Sequence, residues 1–405
     1  MKSLRLIPLT ACLIGGPCLA DNISDIVQIG ASHNAEVHEA GDSHSSKIRQ
    51  EGTDHHAKAI QGSGIEISGS SSVILQTGAE NWAEVVQGGS SAYVRQEGEG
   101  NHASVEQMAS LLPYSATIEQ TGLENDATVR QVLAAWGSLE ATIQQTGDGN
   151  EANAFQIAGD ISYHVIDIQQ NGSENVANVN QTSANDMEAI VQQTGLSNDA
   201  SIVQTGPYGT SMTASISQDG SENKATTTQS ISDYGFGQSR IIQEGQGNTA
   251  DVFQGATFDA AVSSVTQIGS ENVVRIGQGG SSSGNQSAIR MDGTSNSVGV
   301  EQAGIMGSTN DSTVDMTGDG TSATVRQSAW DGTNTSSVTE FGNDNIISIA
   351  QSGNGNTSQT RVNGADNLTT VAQDQAAPSG SGTNTSALNV SGSGNIVSIM
   401  QSVGP

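Results

Sequence analysis

Basic and aromatic residues are scarce in this sequence. Lysine and arginine total 13 against 42 acidic residues, which gives a formal net charge of -29 at pH 7. Such a chain has too few cations to neutralise a run of phosphates, so its composition excludes nucleic-acid binding. Aromatic side chains make up 3% of the 405 residues, and so few large side chains cannot fill an ordinary globular core of that length.

Cysteine is also nearly absent, and both copies, Cys12 and Cys18, fall in the first twenty residues. Residues 1–20 combine a positive start, a short apolar run and a small-residue end, which predicts a secretory signal peptide rather than a membrane span. The mature chain would then contain neither a disulfide nor a thiol.

The remaining residues, 21–405, are expected to form a single continuous domain. Removal of the two basic residues within 1–20 leaves 11 basic and 42 acidic residues, a net charge of -31. No later stretch approaches the roughly 18 apolar residues that a membrane helix needs, so no membrane span is predicted.

Internal repetition, by contrast, is abundant. With Gln28 as position zero, the frame Gln-x-Gly-x-x-His-x-Ala-x-Val-x-Glu begins a series of sixteen repeats, spaced 20 to 28 residues apart, over about 24–401. Glycine occupies position +2 in all sixteen, asparagine occupies +5 in thirteen and glutamine occupies +11 in fifteen. The residues at position zero are Gln28, Gln50, Gln76, Gln96, Gln120, Gln145, Gln170, Gln193, Gln218, Gln243, Gln267, Met291, Met316, Glu340, Val362 and Val390.

The spacing within each repeat predicts a strand, a tight turn and a second strand. The recurrent residues at positions -4, -2 and 0 stand at every second position, as do those at +7, +9 and +11, and a period of two is typical of strands with one buried face. Glycine at +2 suits a positive φ or a close backbone approach, and asparagine at +5 can bond nearby backbone. Pro113, Pro207, Pro378 and Pro405 fall outside these strands, as expected if the strand amides are paired.

One repeat alone cannot bury the inward faces of its two strands. Stacking it about 4.8 Å above an identical repeat pairs every strand and lets the inward-facing glutamine side chains form hydrogen-bonded ladders along the stacking axis. We therefore predict an all-β, cross-β solenoid of sixteen stacked strand-turn-strand repeats. The predicted ladder residues are Gln76, Gln87, Gln96, Gln107, Gln120, Gln131, Gln145, Gln156, Gln170 and Gln181. The predicted turn residues are Gly78, Asn81, Gly98, Asn101, Gly122, Asn125, Gly147, Asn150, Gly172 and Asn175.

The frame Gln-x-Gly-x-x-Asn-x-Ala-x-Val-x-Gln, almost unbroken at 76–87, 96–107, 120–131, 170–181 and 243–254, resembles the curlin repeat of curli fibre subunits. The resemblance covers essentially all of 24–401. It differs from the family in having many more repeats and in lacking a Gly/Asn-rich targeting stretch before the first one.

This resemblance implies a bacterial functional amyloid of a Gram-negative cell, secreted to the extracellular surface and assembled as a biofilm-matrix fibre. The implied partners are other copies of the chain, a nucleator subunit, and an outer-membrane secretion pore with its accessory proteins. A surface-retained nucleator or a long monomeric β-solenoid adhesin is the alternative, and a β-helix hydrolase is a more distant one.

Few residues suggest a catalytic or metal-binding site. Gly280 to Gly284 match the G-x-S-x-G nucleophile pattern, but no helix follows and no orienting histidine is near in sequence, so no catalytic residue and no cofactor is predicted. His33 and His55 share position +5 and would stack one rung apart, making them weak metal candidates together with Glu36 or Asp54. The favoured interpretation is that histidine replaces asparagine there in an exposed turn, and that no metal is bound.

Glu340 is the exception at position zero, because an inward slot that holds glutamine in eleven repeats holds a carboxyl group. We expect burial to raise the pKa of this group.

Overall fold

The computed structural model describes residues 22–62, 69–108, 114–133, 137–159, 162–183, 186–207, 209–232, 234–256, 260–375 and 383–403. These residues form β-strands joined by turns, and no helix occurs among them. The predicted signal peptide with its two cysteines, together with Pro113, Pro378 and Pro405, lies outside the described residues. Pro207 directly follows a strand, in agreement with the expected pairing of strand amides.

The chain divides into two compact units between Ser197 and Asn198. The strands of unit 1 are β1 (Ile23–Ala31), β2 (Asn34–Glu39), β3 (Ser45–Thr53), β4 (His56–Gln61), β5 (Ser71–Ala79), β6 (Trp82–Gly88), β7 (Ser91–Glu99), β8 (His102–Met108), β9 (Ser115–Leu123), β10 (Asp126–Leu133), β11 (Gly137–Asp148), β12 (Glu151–Ala158), β13 (Ser162–Ser173), β14 (Val176–Ser183) and β15 (Asp186–Leu196).

The strands of unit 2 are β16 (Asp199–Gly206), β17 (Ser211–Ser221), β18 (Lys224–Ser230), β19 (Phe236–Gln246), β20 (Thr249–Ala256), β21 (Ala260–Ser270), β22 (Val273–Thr294), β23 (Ser297–Thr317), β24 (Ser322–Ala329), β25 (Thr333–Asn343), β26 (Ile346–Ser352), β27 (Thr357–Ala365), β28 (Leu368–Gln375), β29 (Thr385–Ser391) and β30 (Ile396–Val403).

Each unit is a β-solenoid of two parallel sheets, which confirms the predicted fold class. In unit 1 the first strands of successive repeats pair with one another from β1 to β15, and the second strands pair from β2 to β14. Unit 2 has the same arrangement. The register matches equivalent positions, as in Gln50 opposite Gln76 and Gly52 opposite Gly78.

The core is the narrow seam between the two sheets of a unit. Burial alternates along the strands, so that in β3 the side chains of Ser46, Ile48 and Gln50 point inward and are buried while their neighbours are exposed. Position -4 contacts position +11 across the seam, since Ser46 Oγ donates to Gln61 Oε1 at 3.0 Å. Small and large side chains therefore alternate across a core that contains few aromatic rings.

Strands β22 and β23 are longer than expected, because each runs on through the return segment into the first strand of the next repeat. A register shift between Ser281 and Ser283 accommodates the extra length. The G-x-S-x-G match therefore lies within an extended strand, not on the strand-to-helix turn that a nucleophile of that type requires.

Candidate functional site

The glutamines at position zero form a column of side-chain hydrogen bonds through unit 1. Gln120 Nε2, for example, donates to Gln145 Oε1 at 2.9 Å, to the Asn125 carbonyl at 3.0 Å and to the His102 carbonyl at 2.8 Å. A glutamine-to-glutamine bond of 2.8–2.9 Å joins each successive pair in the order Gln28, Gln50, Gln76, Gln96, Gln120, Gln145, Gln170 and Gln193. Each buried amide thus has partners, which removes the cost of burying it.

A second glutamine column runs along position +11. In unit 1 its successive side chains are 2.7–3.3 Å apart from Gln61 through Gln87, Gln107, Gln131, Gln156 and Gln181. In unit 2 a glutamine-to-glutamine bond joins each successive pair at this position from Gln204 to Gln401. This column therefore persists where the column at position zero does not.

The glycines at +2 are required by the neighbouring repeat. Gly122 has φ of 126°, and a Cβ on it would lie 2.0 Å from the carbonyl oxygen of Gly147 in the next rung. The equivalent glycines at Gly78, Gly98, Gly147 and Gly172 have φ between 112° and 130° and the same 1.9–2.0 Å approach. Both the backbone conformation and the space exclude a side chain.

The asparagines at +5 are buried, whereas the sequence interpretation placed this turn position in solvent. Asn125 is 0% exposed, its Nδ2 donates to the Gly147 carbonyl at 2.7 Å and to Asn101 Oδ1 at 2.9 Å, and its Oδ1 accepts the backbone N–H of Asn150 at 3.1 Å. Fully buried asparagines occupy the same place at Asn81, Asn101, Asn150 and Asn175. A buried amide bonded in this way fixes the turn of one rung to the turns on both sides.

His33 and His55 occupy this same slot and copy the asparagine pattern. Their rings stack at 5.2 Å with an interplanar angle of 4°, and each Nε2 is 3.1 Å from a carbonyl four residues earlier. Nδ1 of His55 accepts the backbone N–H of Asn81 at 3.3 Å, so both of its ring nitrogens are occupied. Burial lowers the pKa of His55, and no group of three or more metal-binding side chains occurs in the part of the chain that the structure describes.

Position +4 is a feature that the sequence interpretation missed. Its backbone is left-handed even where the residue is not glycine, as at Glu124 (φ 53°), Glu174 (φ 55°) and Ser197 (φ 54°). Gly149 takes the same place in an intervening rung with φ of 63°. From Glu80 to Ser197 acidic and small residues alternate in this column, and Ser197 Oγ donates to Glu174 Oε2 at 3.0 Å. Within this stretch the alternation holds like charges about two rungs, or roughly 10 Å, apart.

Unit 2 contains a second asparagine column that was also missed, at position -6 on the return edge. Successive side chains there bond at 2.9–3.4 Å, and all are buried. The column consists of Asn285, Asn310, Asn334, Asn356 and Asn384. It begins at the repeat in which position zero changes from glutamine to methionine, so an amide ladder at the return edge replaces the one that is lost.

Glu340 lies inward at position zero and is 0% exposed. Burial raises its pKa to about 7, although the Asn345 amide, which donates to Oε1 at 2.6 Å, and the Thr317 backbone both act in the opposite direction. Oε2 has no hydrogen-bond partner among the described residues. The side chains of Met316 and Val362, paired with it in the adjacent rungs, are apolar.

No helix long and apolar enough to cross a membrane occurs among the residues that the structure describes. Neither a protein-family model nor a curated protein matches this chain.

Proposed function

We propose that this chain is a secreted structural subunit that self-assembles into extracellular curli-like amyloid fibres, which would serve biofilm matrix, surface adhesion and cell aggregation. One observation carries the proposal. Among the described residues, β1 and β2 pair only with β3 and β4, and β29 and β30 pair only with β27 and β28. An unpaired edge of a parallel in-register sheet is a template for another strand.

The chemistry of the repeats supports a partner of the same kind. Successive rungs pair equivalent positions backbone to backbone, so a second copy offers the strand that the edge needs. A pairing edge of this kind needs no catalytic group and no cofactor, and we propose neither.

The remaining parts of the proposal rest on the resemblance to the curlin repeat. They are export to the surface of a Gram-negative cell through an outer-membrane pore with its accessory proteins, and growth from a nucleator subunit. The excess of acidic residues, 42 against 13 basic, argues against nucleic acid as a partner.

Fibre diffraction from the purified protein, incubated at neutral pH, tests the proposal. We expect a 4.7–4.8 Å reflection along the fibre axis, with strands perpendicular to it. We also expect thioflavin fluorescence to rise, and to rise faster when preformed fibres are added as seeds. A protein that stays monomeric and thioflavin-negative after long seeded incubation would instead support the monomeric adhesin.

A further inference from the structure

The outer face of the second sheet in unit 2 is apolar over its last three strands. In β26, β28 and β30 the residues at +6, +8 and +10 are all uncharged, in a chain of net charge -29. Large apolar side chains at +6 are exposed, namely Ile346 (53%), Leu368 (39%) and Ile396 (79%). They lie in register on adjacent strands, and we call this row the apolar ridge. A contiguous apolar surface of this kind commonly marks an interaction site.

A groove of about 720 Å³ lies beside the apolar ridge, and its lining is almost entirely apolar. Two of its smallest lining side chains, Ala350 and Ala372, share their strands with Ile346 and Leu368 of the ridge. The groove therefore has room for a row of large side chains spaced one rung apart. At position +10 it is lined by Gly277, Glu301, Arg326, Ala350, Ala372 and Met400.

The side chains at +6 and +10 have complementary sizes, rung by rung. Where +6 is Ile346 or Leu368, +10 is alanine. In the two preceding rungs the sizes are exchanged, with serine at +6 and the ion-paired Glu301 and Arg326 at +10. Only the last described rung is large at both positions. Position +8, between the two columns, holds small side chains, namely Gly299, Thr324, Ser348, Thr370 and Ser398.

This size pattern favours one way of packing two copies face to face. A two-fold axis parallel to the solenoid axis, passing over +8, places +6 of each copy against +10 of the other at the same height. From the rung of Glu301 to that of Leu368, every large side chain then meets a small one. A two-fold axis along the strands would instead place ridge on ridge and leave both grooves empty. Only the first arrangement gives the close packing of a dry interface between sheets.

We propose that a second copy of this chain packs side by side on this face, with the apolar ridge of each copy in the groove of the other and both solenoids pointing in the same direction. The contact is isologous, because each copy contributes the same surface. Five rungs of about five residues cover roughly 24 Å by 16 Å, or about 400 Å² per copy, against roughly 800 Å² in a standard interface. Two free chains should therefore associate weakly. The inference rests on the proposed fibre, in which each added subunit contributes a further patch and many weak contacts act together.

The mass per unit length of the fibres tests the pairing. We expect fibres of the parent protein to contain two filaments. Leu368→Asp places a carboxylate in the apolar contact at an outward position, so its fibres should contain one filament and have half the mass per unit length, while they keep the reflection at about 4.8 Å. Gln359→Asp is the matched control, since it adds the same charge to the exposed face of the opposite sheet in the same repeat. Its fibres should stay paired.

A second substitution tests which columns face each other. Position 368 of one copy faces position 372 of the other in the proposed pair, whereas within one chain the two lie about 13 Å apart along a strand. Ala372→Lys alone fills the groove and should also give single filaments. Combined with Leu368→Asp it should restore paired fibres, because each carboxylate then meets an ammonium group of the other copy. Without this rescue, the facing of +6 and +10 would be overturned.

The outcomes separate the pairing from the fibre itself. Single filaments of the parent protein would overturn the pairing and leave the fibre standing. If these single filaments also bound phosphatidylcholine vesicles and those of Leu368→Asp did not, the face would belong to a lipid surface instead. If the parent forms no fibre, sedimentation of the soluble chain decides the point. Self-association at roughly 1 mM that Leu368→Asp abolishes would then support the contact, and its absence in the parent would overturn it.

Discussion

At the scale of single residues, an inward position accepts a different side chain when the replacement offers the same donors and acceptors. His55 reproduces most of the asparagine pattern, because Nε2–H donates to a carbonyl in place of the amide nitrogen and Nδ1 accepts a backbone N–H in place of the amide oxygen. Glu340 replaces glutamine only in part, since its Oε1 is bonded to Asn345 while Oε2 has no partner among the described residues. The two exceptions therefore respond to pH in opposite ways.

Glu340→Gln is expected to stabilise the protein at neutral pH. An acid whose folded pKa is raised to about 7 from 4.5 destabilises the fold above its unfolded pKa, and the penalty is relieved as pH falls through the raised value. The gain should be on the order of 3 kcal/mol at pH 7.5 and about 1 kcal/mol at pH 5. Denaturant unfolding of both proteins at the two pH values measures it, and equal gains at both would show that the carboxyl group reaches water.

His55→Asn is expected to remove part of the acid sensitivity of the fold. Burial holds the pKa of His55 below 6.5, so its contribution to stability is complete above that value and is lost as pH falls below it. The groups around the ring are His33 in the preceding rung and Asp54 and the Glu51 carbonyl in its own turn. Unfolding followed between pH 7.5 and pH 5 should show a smaller loss of stability in the variant. The exposed His38 provides the control, and an identical effect of His38→Asn would contradict the assignment.

At the scale of the element, the turn depends on the glycine at +2. Gly122→Ala should destabilise the protein by roughly 3 kcal/mol or more, because the added Cβ meets a backbone carbonyl and the residue must keep a positive φ. Gly299→Ala is the matched control in a strand, since nothing lies within 4 Å of a Cβ there. Thermal or denaturant unfolding of the pair decides the point, and similar stability for both variants would rule out the turn geometry.

The strands and the first turn were predictable from the sequence, because the spacing from position zero to +11 never changes and period two identifies the inward face. The asparagine column at -6 was not. The return segment varies in length, so Asn310 lies eight residues after Gln302 whereas Asn356 lies five after Gln351. Counted from the following repeat these asparagines share position -6, but that position lies in the return segment of variable length, which the repeat frame from -4 to +11 did not include. The left-handed conformation at position +4 was not predicted for another reason. The glutamate, serine and glycine residues found there have no side-chain property in common and share only their positive φ.

At the scale of the whole molecule, charge controls association. A net charge of -29 concentrates like charge when copies meet, so salt should accelerate assembly at neutral pH. We expect the elongation rate to rise between about 10 mM and about 0.5 M salt, over which the Debye length falls from roughly 30 to roughly 4 Å. Seeded growth curves across this range measure the effect. Elongation rates that do not change with ionic strength would show that repulsion between like charges does not limit assembly.

The close approach of the +2 glycines has a consequence for how such a chain can evolve. The missing side chain of Gly122 makes room for the carbonyl of Gly147, and that of Gly147 for the carbonyl of Gly172, so each repeat meets the steric demand of its successor. A duplicated repeat inserted into the array brings this fit with it, and a deleted repeat leaves two compatible neighbours. The number of repeats can therefore change by whole units in a single genetic step, without compensating substitutions elsewhere.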